Sequence, residues 1–578
     1  MFGALSSLNL FDFVTGSAAF ALEISTVNVL ADTTPGYQPG VGTGDLDNAI
    51  LTTIALSNAN LFIGVNGNSN GQAGNGTGFA VTGASLAIAA IRPSAADVAA
   101  GDSRSYLAVR AKIGSATLSG VDSSTLTVAL KNLTLEINRA SGRAADATIN
   151  SPETRALNWT TDIDQDGNGL FGDTIDPGAI LPTPTELAIA YTGKLLRASG
   201  YASVTVSEFV HVSGNVSIEL GDNLQVTLAG SASTSTVSVL KIGASSINAF
   251  VGVGGPYWDD NSGPNGVPDG IIDSRDTPKS SEALGLALSN LQIALVLMKP
   301  VVAAGQPAPT RSYYALKASG DVALVGVEGL EISARQLSIE VNSASDSAAA
   351  AGAVIPVIDF TKLSGGKLTV STGPSSSVDI GFTDRLLRAT GLMTLSIQQY
   401  IYVSGNFAFE KGTDLTNVKL TDNSTIERAS LLKVGASNVY AFAGVGGPYW
   451  QDNSGPAGAP DGIIDELDTP LSTGAMGVVL RNLSFALGLV KELPPTGPPP
   501  SNLRSFYALK GSGSLSLVGL DDFQISAPNL TLEVNGGTMV NPPVTGAPAI
   551  QLQATDFDQS IAGIQPLLVR TGPNPADT

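Results

Sequence analysis

An internal repeat constrains this chain more than any other feature. Phe250 to Asp276 reads FVGVGGPYWDDNSGPNGVPDGIIDSRD, and Phe442 to Asp468 reads FAGVGGPYWQDNSGPAGAPDGIIDELD, in register and 442 − 250 = 192 residues apart. The repeat is wider than this block. RSYYALKASGDVALVGVEGLEISARQLSIEVN from Arg311 to Asn342 matches RSFYALKGSGSLSLVGLDDFQISAPNLTLEVN from Arg504 to Asn535, and a divergent version, RSYLAVRAKIGSATLSGVDSSTLTVALKNLTLEIN, runs from Arg104 to Asn138. LLRASGYASVTVSEFVHVSGNVSIE from Leu195 matches LLRATGLMTLSIQQYIYVSGNFAFE from Leu386, and FDFVTGSAAFALE from Phe11 continues that series with a small insertion. A fixed period implies tandem units that bury their faces against neighbours. It divides the chain into a divergent first repeat at 1–194 that starts mid-unit, a second at 195–385 and a third at 386–578. Aligning Gly16 with Gly214 places Met1 inside a unit, and the final VRTGPNPADT stops before the next LLRA strand is due. The chain is therefore expected to be a piece of a longer array, with atypical ends.

Within the units the hydrophobic period is two. Tyr314, Leu316, Ala318, Gly320, Val322 and Leu324 form one alternating row, and Leu395 with Ile397 and Phe407 with Phe409 form shorter ones. That period belongs to strands. The stretch SSEALGLALSNLQIALVLM from Ser280 has helical composition, but it alternates at Leu284, Leu286 and Leu288 and lacks caps. The predicted fold is all-β: tandem repeats of about 190 residues, built of antiparallel strands and forming an elongated multi-unit array. A β-solenoid and an open β-groove are the alternative architectures.

Composition narrows the partners. Fifty acidic against thirty basic residues give a net charge of −20 and an isoelectric point near 4.4, which excludes nucleic acid and anionic membrane surfaces and suits divalent cations. Hydrophobic residues make up 43% and charged residues 14% of the chain, too apolar for disorder. Cysteine is absent, which removes disulfides, thiolate metal sites and a cysteine nucleophile. The N-terminus lacks a basic region and carries Asp12 and Glu23, so it does not read as a secretory signal. No apolar run reaches the ~18 residues of a spanning helix. An extracellular or cell-surface location is expected, by an export route not visible in this segment.

Two kinds of loop meet the requirement of calcium for six to eight oxygens converging from a sharp turn. DIDQDGNGLFGD places Asp162, Asp164 and Asp166 at the first, third and fifth positions of an EF-hand-type loop, Gly167 at the sixth, Asn168 at the seventh and Asp173 at the twelfth. Asn168 is expected to contribute its backbone carbonyl. Asp replaces the usual final Glu, and no flanking helices are evident. The repeated block supplies the second kind: Asp260, Asn261, Asp269, Asp273 and Asp276, and in the next copy Asp452, Asn453, Asp461, Asp465 and Asp468. Asp259 and Asn265 drop out because the next copy has Gln451 and Ala457 there, and the first copy's counterpart, Asn66 to Gly78, has no carboxylate. Such clusters are also ordinary surface turns in which Asx side chains cap their own backbone.

The remaining candidates have simpler readings. His211 is the only histidine, and Phe13 and Tyr402 take its place in the other copies, so it reads as a strand side chain and not a general base. Tyr257-Trp258 and Tyr449-Trp450 suit a sugar-stacking platform or, more simply, an anchor of the loop to the sheet. Arg104, Arg311 and Arg504 open equivalent strands and read as solvated strand ends. Gly252-x-Gly254-Gly255 is followed by neither a helix nor a Lys-Ser/Thr pair, which argues against phosphate binding.

In its tandem β units, acidity, lack of cysteine and DGIIDxxD loops, the chain resembles the large repetitive exported proteins of bacteria, of the adhesin-like RTX/VCBS kind, with dockerin-like or EF-hand-like calcium loops. It carries no GGxGxDxUx array. The resemblance implies a calcium-stabilised structural or adhesive segment of a secreted or cell-surface protein, not an enzyme. The partners it implies are calcium, neighbouring repeats of the same or a longer array, and surface glycans or other cells. The second reading is a carrier of hydrophobic ligands such as lipids, with an amphipathic β-groove. The third is a carbohydrate-binding module. A continuous apolar trough favours the carrier; closed cores joined by ion loops favour the structural segment.

Overall fold

A computed structural model describes the chain except residues 11–12, 33–35, 69–70, 148–153, 208, 280–282, 303–305, 351–352, 472–473, 495–502, 521–522, 540–550, 553 and 558–566. Among the described residues the alternating stretches form one antiparallel sheet of 23 strands. Five are short flanking pieces, and eighteen run as a meander. The first six are β1 (Phe2–Leu10), β2 (Val14–Val29), β3 (Leu46–Val65), β4 (Thr77–Arg92), β5 (Ser105–Ser119) and β6 (Leu126–Ser141). Then come β7 (Leu195–Val206), β8 (Val210–Leu220), β9 (Thr234–Val253), β10 (Leu284–Pro300), β11 (Arg311–Val325) and β12 (Leu330–Asp346). The last six are β13 (Leu386–Ile397), β14 (Ile401–Lys411), β15 (Thr425–Val445), β16 (Met476–Glu492), β17 (Arg504–Val518) and β18 (Ser526–Met539). Each pairs antiparallel with its predecessor and successor. The stretch of helical composition is β10.

Strand lengths recur with the sequence: 12, 11, 20, 17, 15 and 17 residues from β7 to β12, then 12, 11, 21, 17, 15 and 14 from β13 to β18. The sheet runs unbroken through both boundaries read from the sequence, because β7 pairs with β6 from Leu195↔Asn138 to Val206↔Leu126, and β13 pairs with β12 from Leu386↔Asn342 to Ile397↔Leu330. It does not close into a barrel: among the described residues β1 pairs only with β2, and β18 only with β17 and the two-residue strand Gln551–Leu552.

A line of register shifts crosses the strands near their middles. Shifts fall at Ser17/Ala19, Leu56/Ala59, Ala244/Ile247, Ser289/Gln292, Gly320/Val322, Ala436/Val439 and Arg481/Ser484. Asn58, Ser246, Asn290, Asn438 and Asn482 sit there with φ near +50°, a left-handed conformation that Asn tolerates better than most residues. Bulges of this kind bend strands and strengthen their twist. Aligned across neighbours, they crease the sheet.

One face of the sheet is packed by its own connections. The segment after β6 brings Leu157, Trp159, Ile163, Leu187 and Ile189 onto Ala21, Ala87 and Ala108. The segment after β12 brings Val357, Ile358, Phe360 and Ile380 onto Ala294, Val296 and Ala315. Each is pinned by the asparagine that ends a matching strand motif, LTLEIN in β6 and LSIEVN in β12. Asn138 Nδ2 donates to the carbonyls of Leu157 and Gly193, both at 2.8 Å, and Asn342 Nδ2 donates to those of Ile358 and Asp384, both at 2.9 Å. Between these packed zones run two charge ladders on the same face. Arg197 lies between Glu136 (3.1 Å) and Glu219 (2.8 Å), with Lys241 beyond at 2.8 Å; Arg388 lies between Glu340 (2.9 Å) and Glu410 (2.7 Å), with Lys433 beyond at 2.9 Å. Burial opposes ionisation of Glu219 and Glu410, but the lysine and arginine neighbours outweigh it and hold both carboxyls below the usual range.

Asn342 is 1% exposed, and removing its amide loses a buried hydrogen bond to the Ile358 carbonyl and a half-buried one to that of Asp384. Asn342→Ala is expected to lower stability by about 2–4 kcal/mol, whereas Asn535→Ala, at an exposed position with one described carbonyl partner, should cost under about 1 kcal/mol. Guanidinium denaturation of the two variants measures the difference.

Candidate functional site

The opposite face of the sheet is apolar across every strand pair. On β7 and β8 it presents Leu196↔Leu220, Ala198↔Ile218 and Val204↔Val212. The row continues as Leu240↔Leu297 and Ile242↔Leu295 between β9 and β10, Leu295↔Leu316 into β11, and Val341↔Leu387 into β13. Val434↔Leu487, Leu487↔Leu509 and Leu509↔Val534 carry it to β18. In the first six strands Leu22↔Ile54, Ile54↔Ile88, Ile88↔Val109 and Val109↔Ile137 do the same. At ~4.8 Å between strands, eighteen strands extend this face over roughly 80 Å.

Exposure along the strands gives the face a shape. Beside the crease Ala59, Val81, Ile247 and Val439 are buried, at 1%, 2%, 9% and 4%, while nearer the strand ends Val251, Leu286, Leu297 and Leu489 are 51%, 41%, 40% and 37% exposed. Buried residues along the fold line and exposed ones toward both edges describe a trough with floor and lips. Toward β18 it deepens into a cavity of about 370 Å³ lined by Leu480, Leu483, Phe485, Leu509, Leu515, Leu530 and Leu532.

The acidic loops lie away from the trough. In the Asp162–Asp173 loop, one carboxylate oxygen each from Asp164, Asp166 and Asp173 lie within 4.8 Å of one another, the one such group among the described residues. Asp164 is buried. Burial opposes its charge, but hydrogen bonds from the Asn28 amide and the backbone N–H groups of Gly169, Gly167 and Asn168 hold its carboxyl below the usual range. Asp162 is not part of this cluster: its Oδ2 accepts from Arg155 and from the Asn158 N–H, both at 2.7 Å. Asn168 donates its amide to Asp166 at 2.8 Å. Three close carboxylates supply part of a calcium shell, with carbonyls and water needed for the rest.

In the repeated loops the acids hold the chain itself. Asp260 accepts from the N–H groups of Asp269 (2.9 Å) and Gly270 (2.7 Å), and Asp452 from Asp461 and Gly462 at the same distances. Asp276 accepts from Asn261 (2.8 Å), Ser262 (3.0 Å) and Asp273 (2.7 Å); Asp468 does so from Asn453, Ser454 and Asp465. The side chains of Asn261 and Asn453 bind Thr277 and Thr469. Asp269 and Asp461 cap Ile271 and Ile463, and Asp465 caps Leu467. Asp273 pairs with Arg275, whose hydrogen bonds pull its carboxyl below the usual range. These residues are not gathered as Asp164, Asp166 and Asp173 are. Each loop is also held by the preceding unit: Lys131 on β6 donates to the Asp269 carbonyl, and Arg335 on β12 to that of Asp461.

Trp258, Tyr449 and Trp450 are buried against Phe250, Ile272, Phe442, Ile464 and Val479, so these rings anchor the loops and offer no sugar platform. His211 is buried in β8 with Nδ1 on Thr205 at 2.9 Å, and burial lowers its pKa. The three strand-opening arginines are not solvated ends. Arg104 is buried on Asp102 at 2.7 Å, Arg311 pairs with Asp346 and Arg504 with Glu492. The sequence reading missed the pinning asparagines and the ladders, although both recur in register in EIN/EVN and LLRA.

No protein-family model matches the chain, and no curated protein does. Among solved structures, it aligns with a chain of the RagAB peptide importer in its "closed-closed" state at 10% identity and a TM-score of 0.10, over 88% of this chain and 53% of that one. That likeness is too low to inform fold or function. Among the described residues no helix is long and apolar enough to cross a membrane.

Asp276 satisfies three backbone donors while 6% exposed, whereas Asp259 makes one ion pair, with Lys279. Asp276→Ala is expected to cost about 2–4 kcal/mol and Asp259→Ala under about 1 kcal/mol, as read from thermal or chemical unfolding.

Proposed function

We propose that the chain is a tandem array of six-stranded units whose shared sheet is a carrier surface for long apolar ligands, with acyl chains as the fitting class. One observation carries the reading: the face left open by the connecting segments is the apolar one. An antiparallel sheet with one covered face ordinarily turns polar residues to water. Here Leu, Ile and Val occupy the open face, while the ladders and asparagines lie on the covered side. Contiguous apolar surface beyond a few hundred Å² marks a binding site in a water-facing protein. A creased trough with small residues on its floor accepts a flexible hydrocarbon chain without specific polar contacts. The function is binding and transfer, with no chemistry on the ligand.

The test is titration with a fluorescent fatty acid and mass spectrometry of extracted native protein. Saturable binding is expected, weakened at least tenfold by Leu286→Glu combined with Val478→Glu. Both sites are exposed, so unfolding temperatures should stay within a few degrees. Absence of saturable binding to the unaltered chain refutes the reading.

The calcium-stapled structural or adhesive segment at a cell surface is the second reading, and the Asp164, Asp166 and Asp173 cluster favours it. Neutralising three close acids stabilises the loop that crosses the first unit. Millimolar calcium is then expected to raise the unfolding temperature by a few degrees, reversibly by chelator, and Asp166→Asn should abolish the shift. A shift that survives Asp166→Asn but is lost in Asp461→Asn would move the site to the repeated loops.

A further inference from the structure

The edge of β18 repeats an interface that the fold has already built twice. Where β6 meets β7 and where β12 meets β13, the strand ending LTLEIN or LSIEVN receives a strand that begins Leu-Leu-Arg-Ala, and β18 carries the matching LTLEVN. Glu136 lies opposite Arg197 and Glu340 opposite Arg388, and the asparagine lies opposite the first leucine in both. The two glutamates are 18% and 17% exposed along their side chains. Asn138 and Asn342 each bind a second carbonyl, that of Gly193 or Asp384, two residues before the incoming strand.

In β18 the same groups stand without that neighbour. Glu533 is 67% exposed, its described ion pair being with Lys510 of its own hairpin. Leu530 and Leu532 are each 52% exposed, and Asn535 is exposed and donates to the carbonyl of Thr555. Among the described residues no strand other than β17 pairs with β18 before Gly537. An edge strand offering free backbone groups, alternating apolar side chains and one aligned charge is a template for strand addition.

We infer that the Leu530–Asn535 edge of β18 binds an extended segment of the Leu-Leu-Arg-Ala type, antiparallel, with its arginine on Glu533 and the carbonyl two residues ahead of its first leucine on Asn535. The added strand prolongs both the apolar face and the charge ladder. Pro528 stands where β6 and β12 carry Lys131 and Arg335, and it bounds the recognised stretch. The β1 edge of a second copy is a poorer match. That strand, FGALSSLNL, carries no arginine or lysine, so that pairing leaves Glu533 without a basic side chain.

The experiment is fluorescence anisotropy of a labelled peptide with the sequence of residues 383–397, TDRLLRATGLMTLSI, titrated with the full chain. One-to-one saturable binding is expected. Replacing the peptide's Arg388 by Glu should weaken it at least tenfold, and Glu533→Arg in the protein should lose the original peptide while regaining the Arg388→Glu one. Glu533 is exposed, so the variant keeps its fold, which circular dichroism verifies. The inference is overturned if the peptide does not bind, if binding ignores both charge reversals, or if sedimentation shows a second copy occupying the edge and excluding the peptide. None of these outcomes depends on whether the trough binds acyl chains.

Discussion

The side-chain period of two, held in register over eighteen strands, is the constraint on which the rest of the structure depends. Each strand has one row turned to the open face and one to the covered face, and slipping one residue exchanges them. The ladders oppose such a slip energetically. Moving β7 by one position would take Arg197 from Glu136 and Glu219 and leave two largely covered carboxylates, 18% and 12% exposed, without that cation. Charge pairs that contribute little as isolated surface contacts thus select register when they recur along a sheet, because the incorrect pairing strips a covered carboxylate of its partner.

Register fixes how the units are joined. Each repeated loop rests on a cationic side chain from the preceding six strands, and Asn138 and Asn342 each hold both the segment that crosses their own unit and the residue leading into the next. The joints are therefore made of backbone ladders plus a few buried polar contacts. Stability in such a chain is close to a sum of unit and nearest-neighbour terms. A defect at one asparagine loosens one crossing segment and the strand entry beside it, while distant units keep their own cores.

The strands were legible because alternation and turn residues recur three times. The EF-hand-type spacing of the unrepeated DIDQDGNGLFGD segment also placed Asp164, Asp166 and Asp173 in one loop. Less legible was what each oxygen would meet. Asp162 fits the first ligand position, yet Arg155, seven residues upstream, holds it, and spacing alone does not reveal that competitor. In the PDGIID loops the carboxylates face backbone N–H groups from residues far along the loop, so a ligand pattern and an Asx-capped turn share one sequence. The Arg104 ion pair was hidden for a related reason: a residue at a strand end reads as solvated until the connection that covers it is placed. Which row of each strand meets water was equally invisible, since the crossing segments after β6 and β12 decide it.

The crease explains why the apolar face stays open and does not close into an ordinary core. Protein interiors fill to crystal-like density, and two apolar surfaces brought together by a bend interdigitate when their side chains are large. Along this fold line many of the side chains are short: Ala59, Ala84, Ala116, Ala249 and Ala436 are buried there among Val81, Ile247 and Val439, beside residues with φ > 0 that permit the bend. Short side chains at the bottom and leucines toward the lips leave the two halves of the sheet nearest at the floor and apart above it. The chain's strong negative charge resides on the other face and in the loops, where it keeps the array dispersed and turns anionic surfaces away. An uncharged hydrocarbon entering the trough meets mostly apolar side chains, with Arg92, Arg139, Lys299, Lys411 and Lys491 at the strand ends of the same rows, and burying it removes water from both partners.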